Sequence, residues 1–312
     1  MLRYFFRRIL LLIPILLGVT FIIFTLMEIT PSNPGRIFLG TAVSEEAVRQ
    51  YNEEIGYYDP FIVRYGRFLL NMIKLDFGTS YSTQTSIKDE IVKRFPISLR
   101  IAFLAVLFAT GIGTSLGVLS AIKQYTIVDN ISRFIAIALA AIPFFWLGLM
   151  LIYIFAMKLG WLPSYGITDW KNYILPTLCL AFPYGARTLR MTRSCMLETI
   201  REGYIRTARA KGAKERAITW RHAFKNALLP IITLIGMQFG ALLGGAIVTE
   251  TIFSMPGLGS FLITAIRAKD TPVVLVVSVL MAATFCSVML FVDILYATID
   301  PRIKAKFSRN RS

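Results

Sequence analysis

Long uncharged runs alternate with shorter polar ones along this chain, and their lengths decide its class. Ile101–Ile122, Phe134–Met157, Asn226–Thr249 and Thr271–Val292 contain no Asp, Glu, Lys or Arg, and each is 22 or 24 residues long. About 20 apolar residues of helix cross the hydrocarbon core of a bilayer. Ile9–Ile29 is a fifth such run, with Pro14 inside it and Glu28 at its far end. Asn172–Ala186 is shorter, carries Pro176 and Pro183, and by length alone also fits a re-entrant segment. The pattern predicts an all-α polytopic membrane protein with six transmembrane helices. Residues 1–29 supply the N-terminus and first span, 30–97 an insert outside the membrane, and 98–312 a core of five spans that includes a polar loop at 187–226.

The polar stretches carry helix signals of their own. Pro31-Ser32-Asn33-Pro34 ends the first span. Ser44-Glu45-Glu46 reads as a helix start, a capping hydroxyl followed by first-turn carboxylates. Asp59-Pro60 reads as a second, with proline at the first helical position, and Val63, Phe68, Leu69, Met72 and Ile73 follow at roughly helical spacing. The insert is therefore expected to be a small helical cap. In the polar loop, Ile200, Tyr204 and Ala208 form one apolar stripe, and Gly212 follows where a helix ends in a left-handed turn. A second helix from Lys214 would turn Ala217, Trp220 and Phe224 inward and Arg216, Arg221 and Lys225 outward. Such a helix–turn–helix fits a docking surface or a solvated connector held by anionic lipid.

Charge sets the orientation. The chain is 55% hydrophobic and 17% charged, with a formal net charge of +16; soluble domains carry about 25% charged residues. An excess of that size invites a nucleic-acid partner, but its distribution points to the membrane. With the N-terminus inside and six spans, 21 of 34 Lys and Arg fall in the inner segments 1–8, 123–133, 187–225 and 300–312. The outer segment 30–97 holds 8 basic and 8 acidic residues. Excess Lys and Arg on the cytoplasmic side is the rule for membrane proteins, so both termini are placed in the cytoplasm and no nucleic acid is expected. The apolar run after Met1–Arg8 is too long for a signal peptide and lacks a cleavage site, so a retained first helix is expected.

Candidate chemistry is sparse. No Gly-Lys dipeptide occurs, so a phosphate-cradling P-loop is absent. His222 is the only histidine, and Cys179, Cys195 and Cys286 are scattered, so neither a zinc motif nor a disulfide framework is present. No Gly-x-Ser-x-Gly elbow occurs either. No catalytic, metal or cofactor site is expected in this chain. Glu28, Glu250 and Asp293 lie at span ends and Arg100 near the start of the second span, which fits a pathway or gating role, interfacial solvation or internal ion pairs. Pro143-Phe144-Phe145-Trp146, expected mid-span, fits either a cavity lining or packing. Gly113 and Gly117, and the longer ladder Gly236, Gly240 and Gly244, have the spacing that lets helices approach closely in lipid. That fits a seam between subunits or packing within one bundle.

Several segments in order carry a resemblance. Tyr204-Ile205-Arg206-Thr207-Ala208-Arg209-Ala210-Lys211-Gly212, then Arg221-His222-Ala223-Phe224-Lys225-Asn226-Ala227-Leu228-Leu229-Pro230, resembles the cytoplasmic coupling loop of bacterial ABC importer permeases of the dipeptide/oligopeptide/nickel group. Asp76-Phe77-Gly78, Gly160-Trp161-Leu162-Pro163, Tyr173-Ile174-Leu175-Pro176, Glu250 to Gly259, Val292 to Ala297 and Asp300-Pro301-Arg302 agree with the same group. Arg206-Thr207-Ala208 stands where the wider superfamily has Glu-Ala-Ala, a basic version common in this group.

The resemblance implies an inner-membrane subunit working by alternating access. It implies as partners a second homologous permease subunit, two ATP-binding subunits that hold ATP and Mg, an extracytoplasmic solute-binding protein, and membrane lipid. Gly203, Tyr204, Arg206 through Ala210, Lys211, Gly212 and Ala213 would form the element that docks on the ATPase. The solute would be a di- or oligopeptide, glutathione, nickel or a metal chelate. A stand-alone channel or secondary transporter, a membrane-embedded enzyme and a scaffold remain as alternatives; the first predicts transport without an ATPase partner, the second turnover that is lost on replacing one serine, cysteine or histidine.

Overall fold

The computed structural model describes residues 2–30 and 32–299. Pro31 and the Asp300-Pro301-Arg302 motif, with the basic residues after it, lie outside the described residues. Among the described residues all regular elements are helices, and the one β-bridge is isolated, between Thr79 and Ser86. It divides into two compact units, residues 2–98 with 256–286, and residues 99–255 with 287 onward. The N-terminal residues thus share a unit with a segment from near the C-terminus.

In the first unit, helix α1 (Leu2–Ile29) is followed by α2 (Pro34–Leu39), α3 (Glu45–Glu54) and α4 (Phe61–Ile73). Asn33 caps α2 through its side-chain oxygen, which accepts the Arg36 N–H, and Pro34 occupies the first turn, where no donor is needed. Ser44 caps α3 by accepting the Ala47 N–H at 3.3 Å, as its position before Glu45-Glu46 predicts. Pro60 is the cap residue of α4 and not its first helical residue.

The apolar stripe of α4 differs from the expected one. Val63 and Ile73 are exposed, and Phe61, Tyr65, Phe68 and Leu69 pack against Ile23, Phe24 and Met27 of α1 and against Leu275. The i, i+4, i+7, i+8 positions of a helix share a face. Tyr65 belongs to that face because its hydroxyl has a partner there, lying 2.9 Å from Thr20 Oγ1. Phe24 meets Phe61 and Tyr65 edge to face, at centroid distances of 5.3 and 5.4 Å.

Helix α5 (Ile87–Ile122) starts well before the expected span and runs through the expected boundary at residue 97. Then come α6 (Ile127–Ala141), α7 (Phe144–Leu151, continued by a π-helical stretch Ile152–Lys158) and α8 (Ile174–Ile200). The single span expected at 134–157 is broken, with α6 and α7 meeting at 103°. Proline disfavours helical backbone in the residue before it. Ile142 accordingly lies at ψ 126° and ends α6, and Pro143 caps α7. Phe144, Phe145 and Trp146 therefore sit in the first turn of α7, at the break between the two helices.

The short uncharged run at 172–186 begins in a 3-10 turn, Trp170–Tyr173, and from residue 174 forms the first half of α8, a helix of 27 residues whose second half carries Arg187, Arg190 and Arg193. After α8 come α9 (Gly203–Ala210) and α10 (Glu215–Ala217), which passes through a π-helical stretch, Ile218–Phe224, into α11 (Lys225–Ile252). Helices α12 (Leu258–Arg267) and α13 (Thr271–Ile299) complete the described chain. Among the described residues four helical stretches are long and apolar enough to cross a membrane, five when the bent α6–α7 pair is taken as one. Helix α8 has the length for a sixth, but its second half is charged.

Candidate functional site

The polar loop folds as a braced knuckle. Helix α8 stops at Ile200 and α9 begins at Gly203, so the helical period does not run from residue 200 to 204. The inward residue of α9 is consequently Ile205 and not Tyr204. Ile205 is 0% exposed, in a cluster with Val118, Cys195, Met196, Ile218, Ala223 and Ile231, and Ile200 packs beside it. Burying such a side chain is worth about 1.5–3 kcal/mol. Tyr204 is 43% exposed, and its hydroxyl accepts a hydrogen bond from Asn226 Nδ2 at 2.9 Å.

Gly212 closes α9. Its N–H donates to the Arg209 carbonyl at 2.9 Å, and the Ala213 N–H to the Ala208 carbonyl at 3.2 Å. This paired 5→2 and 6→1 pattern needs a left-handed residue at the turn. Gly212 supplies it at φ 78°, with no atom near enough to obstruct a side chain. Backbone conformation, not space, therefore makes glycine necessary here. Ala213 packs against the Ile205 cluster.

Arg209 spans the turn in a two-pronged pair with Glu215, Nε–Oε1 2.8 Å and Nη2–Oε2 3.3 Å. The Glu215 carboxylate holds Arg209 further into its protonated range. An exposed pair of this kind contributes less than about 1 kcal/mol. It orients the turn, and Ile205 anchors it.

The second helix is also rotated from expectation. Ile218, Thr219, Ala223 and Ala227 face inward, Ala217 and Trp220 are exposed, and Phe224 is partly buried. The π-helical i→i+5 pattern explains the shift, since it lays Ile218 and Ala223 one above the other. What remains on the surface is Gly203, Tyr204, Arg206, Thr207, Arg209, Ala210, Lys211 and Gly212, with Ala208 and Ala213 partly covered.

Behind the knuckle lies a constellation that sequence reasoning missed. Asp129 is fully buried near the start of α6 and pairs with Arg193 of α8, Nε–Oδ1 2.7 Å and Nη2–Oδ2 2.8 Å. Ser120 Oγ donates to the same carboxylate at 2.5 Å and the Tyr125 N–H at 3.0 Å. The end of α5, the turn after it, α6 and α8 thus meet at one buried carboxylate. Both partners come from segments that charge had placed on the cytoplasmic side. The available signal was that Asp129 is the only acid in the basic segment 123–133.

The glycine seams separate by partner. A Cβ on Gly113 or Gly117 would lie 2.6 Å from Gly185 O or Thr192 Cβ of α8, and one on Gly236 would lie 2.5 Å from Val292 of α13. These three serve packing inside the chain. Gly244 faces open space, and Gly240 is partly covered. Deeper in the same unit, Gln238 of α11 accepts from Thr188 Oγ1 at 3.2 Å and donates to the Tyr184 carbonyl at 3.3 Å. Glu250 is fully buried at the end of α11, and Asp293 is half-buried on α13. Phe144 stands 5.8 Å from the Tyr184 ring, and Phe145 and Trp146 are exposed.

Comparison with known proteins completes the site. Residues 113–305 match the family described as binding-protein-dependent transport system inner membrane component, and residues 1–102 match the N-terminal region of such membrane components. The dipeptide transport system permease protein DppB of Alkalihalophilus pseudofirmus is 40% identical over 97% of this chain and 100% of its own length. The glutathione transport system permease protein GsiC of Escherichia coli is 35% identical over 98% of this chain and 100% of its own. Among solved structures, an amino acid ABC transporter matches with TM-score 0.54 at 15% identity, over 72% of this chain and 96% of that one. The MetNI methionine ABC transporter matches with TM-score 0.53 at 21% identity, over 67% and 96%. At those identities the structures speak to the fold alone.

Proposed function

Because the chain belongs to the family of binding-protein-dependent transport system inner membrane components, permease subunits of ABC importers in the bacterial inner membrane, we propose that it imports peptides or related small solutes. It forms half of a translocation pathway with a second permease subunit. Two ATPase subunits bind ATP and Mg on the cytoplasmic side, and an extracytoplasmic protein delivers solute from the other. The observation that carries this reading is full-length similarity to a dipeptide and a glutathione permease. Nickel and metal chelates are a less favoured cargo.

The coupling element is the surface of α9 and its turn, Gly203 to Ala213. A short helix pinned by one buried isoleucine, closed by a left-handed glycine and braced by Arg209–Glu215 moves as a unit. Closure of the ATPase pair beneath it passes to α8 and α11, which pack against each other within the same unit. The Asp129–Arg193 pair carries the displacement on to α6.

Uptake of a radiolabelled dipeptide by vesicles holding the assembled complex tests the role. Uptake is expected only with ATP and the ATPase subunits present. Equal uptake by this chain alone would overturn the reading in favour of a channel or secondary transporter.

A further inference from the structure

The first structural unit carries a half-open cavity of about 380 Å³, within the range of about 300–1,000 Å³ typical of small-molecule sites. It lies among α1, α3, α4, the 76–81 segment and the first turns of α13. Its lining holds charges of both signs, Arg64 and Arg67 beside Glu28 and Asp76, with the polar groups of Asn71 and Tyr81.

Each charged group is held in place but not used up. Arg64 Nε donates to the Asp59 carbonyl at 3.0 Å and its Nη2 pairs with Glu28. Arg67 pairs with Asp59 at 2.6 Å and donates from Nη1 to the Ile55 carbonyl at 3.3 Å. A guanidinium has five N–H donors and a carboxylate about four acceptor positions, so each keeps capacity after these bonds. Among the described residues the Asp76 carboxylate accepts only the Gly78 N–H, at 3.3 Å. Among the described residues the Asn71 amide and the Tyr81 hydroxyl make no hydrogen bond. Burial, with Tyr51 and Asp270 nearby, raises the Tyr81 phenol to about 12, so it stays a donor. Its backbone is fixed, because the Tyr81 N–H joins Ser80 and Ser82 in bonding the buried Asp270 carboxylate.

These features select a ligand class. With Asp59, which pairs with Arg67, two guanidiniums stand among three carboxylates, a mixture of signs that favours neither a simple anion nor a simple cation. A metal is poorly served, since no group of three His, Cys, Asp or Glu able to hold one occurs among the described residues. A molecule with a carboxylate at one end, an ammonium at the other and amide groups between satisfies every donor and acceptor class present.

We propose that this cavity binds a small zwitterion of the free-dipeptide type. The arginines take the carboxylate, Glu28 and Asp76 take the ammonium, and Asn71 and Tyr81 take the amide. The proposal rests on the import reading and adds to it a site on the permease itself, outside the membrane. Solute released from the delivering protein would be held there before the pathway opens.

Calorimetric titration of the full chain in lipid nanodiscs with alanyl-alanine tests this, with N-acetyl-alanyl-alanine and alanyl-alanine amide as comparison probes. Saturable binding of the free dipeptide is expected, each capped peptide binding at least tenfold more weakly. Asn71→Leu should weaken binding at least tenfold and Tyr81→Phe about threefold, the latter keeping the buried ring. No binding, equal binding of the capped peptides, or affinity unchanged in both variants would overturn the site. ATP-driven uptake by the assembled complex is measured in parallel. Uptake without cavity binding sinks only this site, and cavity binding with ATP-independent uptake sinks the import reading on which it rests.

Discussion

A single backbone angle separates Gly212 from every other residue type at the tip of the knuckle. Left-handed backbone costs a residue with a Cβ about 1–2 kcal/mol, and φ here is 78° with open space around the position. Gly212→Val is therefore expected to leave membrane insertion intact while lowering both ATPase co-purification and dipeptide uptake at least tenfold. Normal uptake in that variant would remove the docking role. The buried Asp129–Arg193 pair is the other residue-scale test. Removing one partner of a buried pair leaves an uncompensated charge, at a cost of about 3–5 kcal/mol. Arg193→Met should lower the melting temperature of the purified chain markedly. The double variant Asp129→Asn with Arg193→Met should lose much less than the sum of the single losses, and a strictly additive result would show the two do not act as a pair.

At the scale of elements, the knuckle depends on one anchor. Truncating a buried Ile to Ala costs about 2–5 kcal/mol, and Ile205 is the only fully buried residue of α9. Ile205→Ala should release α9 without unfolding α8 or α11. Hydrogen exchange would show faster amides at 203–213 and unchanged protection around Gln238. The break between α6 and α7 has a similarly local cause. Replacing Pro143 with Ala lifts the restriction on Ile142, so spin labels at positions 131 and 153 should move apart as the two helices straighten. An unchanged distance would place the cause of the bend in packing.

At the scale of the whole molecule, apolar side chains such as Leu10, Phe21, Phe103, Phe134 and Phe291 are well exposed, which water would penalise and a bilayer would not. The charge asymmetry and the helix order together set the orientation. Single cysteines at position 60 and position 210 should label from opposite sides, 60 from outside and 210 from inside the cell. The reverse pattern would overturn the topology.

Much of this was open to reading from the sequence because the bilayer simplifies the physics. Run length reports span, Lys and Arg report side, and Ser44 and Gly212 act through local backbone preferences. The class, the helix start at Ser44 and the Arg206–Gly212 motif therefore followed from the sequence. Only the tertiary structure decided which face of each helix turns inward, because a missing turn at Arg201-Glu202 and a π-helical stretch at 218–224 reset the period that the stripe argument assumed. It alone brought Asp129 to Arg193 across 64 residues of chain, since a polar group pairs in space and leaves no periodic trace. It also separated Gly113, Gly117 and Gly236, which meet neighbouring helices, from Gly244, which faces open space. A small residue marks a close approach, but what comes close is determined by the fold.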